Sequence, residues 1–204
     1  MNKKHTDWDD RILVCFPEGV RKQVKEICDK ENLCLYFCSP GMKSSVSGLY
    51  YGCCSSIYID IDLDRFSFFE VFIHELAHHQ VFKKYCIEPN NRKTEPRPHG
   101  REFKKMFKSL FEPYLTEEIF PPDLIEGYKA WLKHGGVGWD SYPKRIINKY
   151  CVSRKLKNLP DDIHFRSKGQ GYIKGRYDET SAKYLCLGSR GWFFFDPNTI
   201  VKMI

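Results

Sequence analysis

The spacing of hydrophobic residues in the first third of the chain predicts one helix followed by three short strands. Apolar residues recur every three or four positions over residues 17–31, which predicts an amphipathic helix. Short apolar or alternating runs predict strands over 33–38, 44–52 and 56–62. The third run is the clearest, because isoleucine alternates with polar side chains between Ser56 and Asp62. This part of the chain therefore supplies a helix and a small sheet.

The middle of the chain predicts three more helices. The longest runs from Ser67 to about Tyr85 without Gly or Pro, and Asp64 or Ser67 supplies its N-terminal signal. Residues 88–98 contain three prolines and five charges, so we interpret them as a loop. Helices are then expected over residues 100–111 and 122–134, where apolar residues return to helical spacing.

The last third of the chain changes pattern, which suggests a domain boundary. The glycine-rich stretch after residue 134 ends the helical part, and short strand-like runs return from about residue 162. We expect an α+β protein with a main domain over residues 1–135, a basic linker over 136–160 and a small metal-free β-rich module over 161–204.

Positive charge is concentrated in this last third. The chain has a formal net charge of +7, and residues 135–204 alone contain 13 Lys or Arg against 6 Asp or Glu. Such an excess predicts contact with DNA or RNA, although solvated surface lysines give the same count. The candidate contacts form one basic stretch: Lys144, Arg145, Lys149, Arg154, Lys155 and Lys157. Aromatic residues interleave with the basic ones further on, and they can stack on bases or fill the core of the module.

Composition predicts a protein that neither spans a membrane nor is exported. No apolar run approaches the roughly 20 residues that a bilayer span needs. The first residues carry charges and no apolar run, so we expect a cytoplasmic protein rather than a secreted one. Nine cysteines without a C-x-x-C pair are expected to be reduced thiols.

His74, Glu75 and His78 form an H-E-x-x-H motif inside the strongest helix prediction. Residues four apart lie on one face of a helix, so both imidazoles can reach a single zinc ion. Glu75 is then placed to take a proton from a water molecule at the open coordination position. His79 lies about 100° around the helix, which predicts a supporting or surface role.

A catalytic zinc ion needs a third protein ligand, and the sequence leaves several candidates. They follow the motif within 25 residues: Glu88, Glu95, His99 and Glu102. His99 stands between Pro98 and a predicted helix start, which would hold a ligand firmly. The alternative role for His99 is to cap that helix.

Together, the H-E-x-x-H motif, a loop and His99-Gly100-Arg101-Glu102-Phe103 resemble the SprT-like metallopeptidase family. The resemblance covers roughly residues 10–134 and implies a zincin-like core with His99 as the third zinc ligand. It also implies peptide hydrolysis, and eukaryotic members are DNA-dependent proteases. The tail lacks the cysteine pairs of the family's zinc ribbon and resembles the short β-rich tail of some bacterial members.

We therefore expect a zinc metallopeptidase that cleaves protein substrates and has a possible nucleic-acid partner. The alternative is a non-catalytic, nucleic-acid-associated regulatory protein on the same scaffold, against which the presence of Glu75 argues. A zinc hydrolase of small molecules is a third option. The proline-bounded loop before His99 indicates no specificity pocket.

Overall fold

The computed structural model describes residues 10–37, 47–87, 96–133 and 146–203 as an α+β protein. The described residues form four α-helices and two sheets. The helices are α1 Arg21–Glu31, α2 Arg65–Phe82, α3 Arg101–Phe111 and α4 Pro122–Lys133. Short 3-10 turns precede α1 and follow α3, and a π-helical turn at Lys83–Ile87 extends α2.

The first sheet has three strands in the order β1-β3-β2, so β1 and β2 are its edges. These strands are β1 Cys34–Phe37, β2 Gly48–Tyr51 and β3 Ser56–Ile59. β3 pairs parallel with β1 and antiparallel with β2. The helix and the three strands predicted from the first third of the sequence are thus confirmed. Most of their ends lie within one or two residues of the predicted positions.

The second sheet has six antiparallel strands in the order β4-β9-β5-β6-β7-β8. Their bounds are β4 Val152–Lys155, β5 His164–Ser167, β6 Gln170–Asp178, β7 Lys183–Gly188, β8 Gly191–Phe195 and β9 Ile200–Met203. The β-rich nature of the predicted C-terminal module is therefore observed. β4 lies inside the stretch predicted as a linker, and its pairing with β9 makes it part of this sheet.

Helix α2 begins at a well-formed cap and is buried on most sides. The side chain of Asp64 accepts hydrogen bonds from the backbone N–H groups of Phe66 and Ser67. It also accepts one from the hydroxyl of Ser67. Thirteen of the 18 residues of α2 are buried, so neighbouring elements fix the helix on several faces.

A single aromatic-rich core surrounds α2. Phe16 packs edge-on against Phe68 and Phe72, whereas Phe69 contacts Phe111 and Phe120 from α3 and the turn after it. Edge-to-face pairs of this kind add to the stabilisation that burial gives. The core holds α2 between the N-terminal elements and helices α3 and α4.

The C-terminal sheet packs on this core through the turn that precedes α2. Gly171 donates its backbone N–H to Asp62 Oδ1 over 2.6 Å, and His164 Nε2 lies 3.0 Å from the carbonyl oxygen of Ile61. A Cβ atom on Gly171 would lie 1.8 Å from the Ile61 carbonyl oxygen, so only glycine fits. Ile173 belongs to the main core. The sheet also has a small core of its own.

Two predictions made from composition, on membrane spans and on the cysteines, can be compared with this fold. Among the described residues, no helix combines the length and the apolar character that crossing a bilayer requires. The eight cysteines in the described ranges form no disulfide. Three of these are buried: Cys15, Cys28 and Cys186.

Candidate metal centre

Three histidine rings meet at one point beside α2. The Nε2 atom of His99 lies 3.1 Å from His74 Nε2 and 3.0 Å from His78 Nε2. Among the described residues, these three form the one group of His, Cys, Asp or Glu side chains with the spacing of a metal site. The two motif histidines and the histidine favoured as third ligand are therefore brought together.

The geometry and protonation of these rings fit a zinc ion. Zinc–nitrogen bonds of about 2.0–2.1 Å in a tetrahedral site place ligand nitrogens roughly 3.3 Å apart, close to the observed separations. Burial and the neighbouring histidines lower the pKa of His74 to about 3. Burial and His99 lower the pKa of His78 to about 4, and burial also lowers the pKa of His99. All three rings are thus neutral near pH 7, the form that binds a metal.

Helix geometry and one unusual turn position the ligands. His74 and His78 are four residues apart on α2 and share a face. His99 adopts a left-handed backbone with φ of +57°, a conformation that histidine tolerates better than most residues. Gly100 is the N-cap of α3 and donates its backbone N–H to the carbonyl of Arg97 over 2.8 Å. His99 therefore does not cap the helix, which resolves the alternative left by the sequence.

Gly100 is needed for this turn rather than for approach to a metal. A Cβ atom there would lie 2.9 Å from the carbonyl oxygen of Arg97. Such a contact is shorter than real Cβ atoms make, so a side chain would force the turn apart.

Phe103 supports all three rings from beneath. Its ring centroid lies 4.8 Å from that of His74, 4.3 Å from His78 and 4.9 Å from His99. Phe103 itself is buried and packs on Phe107. The sequence named Phe103 as part of the segment that resembles the SprT-like family but did not show its contact with the histidines, because that contact depends on how α2 and α3 cross.

Glu75 is buried next to the histidine cluster, where strand β2 passes closely. Burial raises the pKa of Glu75 to about 7, and a hydrogen bond from the Tyr50 backbone opposes that rise. A Cβ atom on Gly48 would lie 2.4 Å from Val71 Cγ1 and 3.0 Å from Glu75 Oε1. Glycine at position 48 therefore lets the edge strand approach the carboxylate. This contact was not predicted from the sequence.

His79 links α2 to the edge strand and to α1. The hydroxyl of Tyr50 donates to His79 Nδ1 over 3.0 Å, and His79 Nε2 lies 3.4 Å from Glu31 Oε2. Lys83 donates to the same Glu31 oxygen over 2.8 Å. His79 is buried, so the surface role that the sequence left open is wrong, and the supporting role stays a prediction.

A small pocket opens beside the histidine cluster. It has a volume of about 110 Å³. His78, His99 and Phe103 form the side nearest the cluster, and Val81, Phe82 and the prolines at 96 and 98 supply further apolar wall. The sequence indicated no pocket here, because its walls come from two segments that meet only in the folded chain.

Of the other candidate ligands, the described residues include Glu102 alone. Glu102 is exposed on the first turn of α3 and does not belong to the group of possible metal ligands. Glu88 and Glu95 lie outside the described residues. His99 is therefore the candidate that the described structure favours.

The basic stretch is divided between exposed and undescribed residues. Lys144 and Arg145 lie outside the described residues. Arg154 and Lys155 are exposed on edge strand β4, and Lys157 is exposed in the turn after it. Lys149 is exposed and lies 3.6 Å from Asp123. The described part of the stretch thus presents its cations to solvent at one edge of the sheet.

The interleaved residues of the tail divide between core and surface. Tyr172 is buried in the core of the sheet. Lys174 is buried as well and forms an ion pair with Asp161 at 2.9 Å. Trp192 and Tyr177, by contrast, are 51% and 44% exposed. Only the second pair offers aromatic surface to a partner.

Comparison of the chain with protein-family models, with curated proteins and with solved structures finds no match.

Proposed function

We propose that this chain is a zinc-dependent peptidase with a zincin-like core of the SprT-like type. The observation that carries the proposal is the meeting of three histidine Nε2 atoms beside a buried glutamate. Two of these histidines and the glutamate, Glu75, lie on α2. His74, His78 and His99 would hold the ion. Three histidine ligands with one open position are typical of a catalytic zinc site, whereas structural sites use four protein ligands.

Glu75 has the position of a proton carrier, because it is buried on α2 directly after the ligand His74. A zinc ion, when bound, supplies Lewis acidity toward a peptide carbonyl and a water molecule. Glu75 accepts a proton from the water whose oxygen attacks the carbonyl carbon. As the carbon–nitrogen bond breaks, the same carboxyl donates that proton to the leaving nitrogen. Its burial beside the cluster places the carboxylate within the water-excluded part of the site, where a group that takes and returns a proton is needed.

Strand β2 supports a polypeptide as the substrate. It is an edge of the first sheet, and it runs past Glu75 at Gly48. An edge strand can bind an extended chain through backbone hydrogen bonds, independently of the side chains of that chain. The bond between the Tyr50 hydroxyl and His79 ties this strand to α2. A peptide lying along β2 would therefore meet the carboxylate and the metal in a fixed geometry.

Contact with DNA or RNA is the second part of the proposal, through Arg154, Lys155 and Lys157. These cations are exposed together at the β4 edge of the second sheet. Cations arranged along one edge attract phosphates without reading sequence. This contact would bring the peptidase to proteins bound on nucleic acid.

The decisive test substitutes Glu75→Gln, which keeps the shape of the side chain but removes its ability to carry a proton. We expect stoichiometric zinc by elemental analysis and a loss of peptide cleavage of about 100-fold or more. A chelator should abolish wild-type cleavage, and added zinc should restore it. Cleavage that survives in the Gln variant would refute the mechanism.

The same measurements separate the peptidase from a non-catalytic regulator on this scaffold. A regulator would bind zinc and nucleic acid but release no peptide fragments from itself or from a partner. Wild-type protein should be assayed with and without DNA, and fragments identified by mass spectrometry. Absence of fragments under all conditions, with zinc bound, would favour the regulator.

A further inference from the structure

We infer that the pocket beside the histidine cluster selects substrates with a small aliphatic side chain next to the bond that is cut. The inference rests on the proposed peptidase function and names the determinant of its specificity. Val81 is the residue that sets the size of the pocket. The occupant is a valine- or leucine-sized side chain of the substrate.

The position of the pocket assigns its occupant to the residue that adjoins the cut bond. His78 and His99 belong both to the metal cluster and to the pocket wall. Val81 and Phe82 follow His78 by three and four residues on α2, which is one helical turn or about 5.4 Å. Consecutive Cα atoms of a bound peptide are about 3.8 Å apart. A side chain in the pocket is thus one residue, and no more, from the reacting carbonyl.

The walls of the pocket favour an apolar side chain. Val81 and Phe103 are buried, and the Phe82 ring lines the same space. None of the described lining residues carries a carboxylate, and the single permanent cation among them, Arg97, is exposed. An acidic side chain would lose its hydration against valine and phenylalanine carbons, which costs free energy without a buried partner.

The volume of the pocket favours a small side chain. A cavity of roughly 150 Å³ lined by apolar residues binds benzene. The pocket here is smaller, at about 110 Å³. Valine and leucine side chains suit that volume, and we expect the larger side chains of phenylalanine, tyrosine and tryptophan to fit it less well. Val81→Ala should enlarge the pocket enough for an aromatic ring.

The test uses the full chain and a series of quenched fluorescent peptides. The peptides share a Gly-Ser background and carry Ala, Val, Leu, Phe or Asp at one position. We expect wild-type protein to cleave the Val and Leu peptides at least about tenfold faster than the Asp peptide, with the cut adjoining the varied residue. Val81→Ala should raise the ratio of Phe to Leu cleavage by about tenfold.

The matched control is Val24→Ala, which removes the same two methyl groups from a buried valine of α1. It should lower stability without changing the ratio of Phe to Leu cleavage. A changed ratio in this control, or an unchanged ratio in Val81→Ala, would overturn the inference. Because the readout is a ratio within one variant, partial unfolding alone cannot produce the expected shift.

Binding measurements keep the pocket distinguishable from the catalytic proposal. Peptide affinities should be measured by fluorescence polarisation in the Glu75→Gln background, with and without Val81→Ala. A preference for Leu that shifts toward Phe supports the pocket even if wild-type protein cuts no peptide. Cleavage without any preference beside the cut bond would leave the peptidase standing and refute the pocket.

Discussion

Helix α2 and strand β8 differ in how they expose their residues. Thirteen of the 18 residues of α2 are buried, and neighbouring elements hold the helix on several faces. In β8, Phe193 and Phe195 face the core of the second sheet, whereas Trp192 and Phe194 are 51% and 56% exposed. Catalytic chemistry needs side chains held to within about 0.5 Å, which a buried helix provides. A half-exposed sheet instead offers surface to a partner.

The largest expected effect is on zinc affinity at the histidine cluster, without a matching effect on the fold around it. His99→Ala should weaken zinc affinity by more than the roughly 100-fold that loss of a supporting partner can cause, because it removes a ligand. The second sheet should remain folded, since His99 lies in the turn before α3. Zinc titration and circular dichroism measure the two effects.

Glu102→Ala is the matched control for this prediction, because Glu102 was the other described candidate for third ligand. It is exposed and outside the cluster, so zinc affinity should not change. The reverse pattern, with Glu102 required and His99 dispensable, would contradict the proposed ligand set.

The next largest effect is expected from a variant that disrupts the contact between the second sheet and the turn before α2. Gly171→Ala places a Cβ atom 1.8 Å from the Ile61 carbonyl oxygen and should lower the free energy of unfolding by about 3 kcal/mol. Urea unfolding measures this change. Gly169→Asn is the control: a Cβ atom there meets nothing within 4 Å, so only the strain of a side chain at φ +85° remains, and the loss should be smaller, about 1 kcal/mol. Equal losses in both variants would mean that the contact with Ile61 is not the cause.

A smaller effect tests the contact of His164 with Ile61 by measuring stability at different pH values. Burial lowers the pKa of His164 to about 4 despite its bond to Ile61, with Arg166 and Arg65 adding to the decrease. Below pH 6.5 the unfolded chain takes up a proton that the folded chain refuses, so stability falls as pH falls. Between pH 7 and 5 this amounts to about 2 kcal/mol.

The matched variant for that measurement is His164→Gln, which keeps an N–H donor but does not titrate. The pKa of Glu70 is raised by burial to about 8, which acts in the opposite direction in both proteins. The difference in unfolding free energy between wild type and variant should therefore narrow from pH 7 to pH 5. A constant difference would show that His164 does not remain neutral in the fold.

The smallest effect concerns the exposed cations of the second sheet. Changing Arg154, Lys155 and Lys157 to Ser should reduce the salt dependence of binding to single-stranded DNA by about one unit of slope per cation. Zinc content and thermal stability should stay the same, because all three are exposed. Deleting the tail is not an equivalent test, since Ile173 of this sheet belongs to the main core. Unchanged binding would place any nucleic-acid contact elsewhere.

The sequence was most informative where local pattern decides structure. The alternation of Ile57 and Ile59 and the cap at Asp64 are properties of neighbouring residues, and both elements formed as expected. β4 was missed because its residues are all exposed and show no alternation. The contact of Gly171 with Asp62 joins residues 109 positions apart, and nothing near Gly171 in the sequence indicates it.

The residues of the site divide in the same way, into those predicted from local spacing and those that depend on tertiary contacts. His74, Glu75 and His78 share a helix and were found from their spacing alone. His99 needed the resemblance to a known family, because a position 21 residues after His78 has no fixed relation to it. The roles of Gly48 and Val81, and the contact of Phe103 with the histidines, were not predicted, since each depends on a neighbour brought close by tertiary packing.

If the three rings hold zinc as proposed, the left-handed backbone of His99 would couple the abundance of this protein to the supply of metal. That conformation costs roughly 1 kcal/mol for a residue other than glycine. An ion held by the three rings would offset the cost, and a ligand at a hundredfold excess over its Kd stabilises a fold by about 2.7 kcal/mol. Copies made in zinc-poor cells would open more often and be degraded sooner. Zinc scarcity would then lower the number of molecules as well as the activity of each.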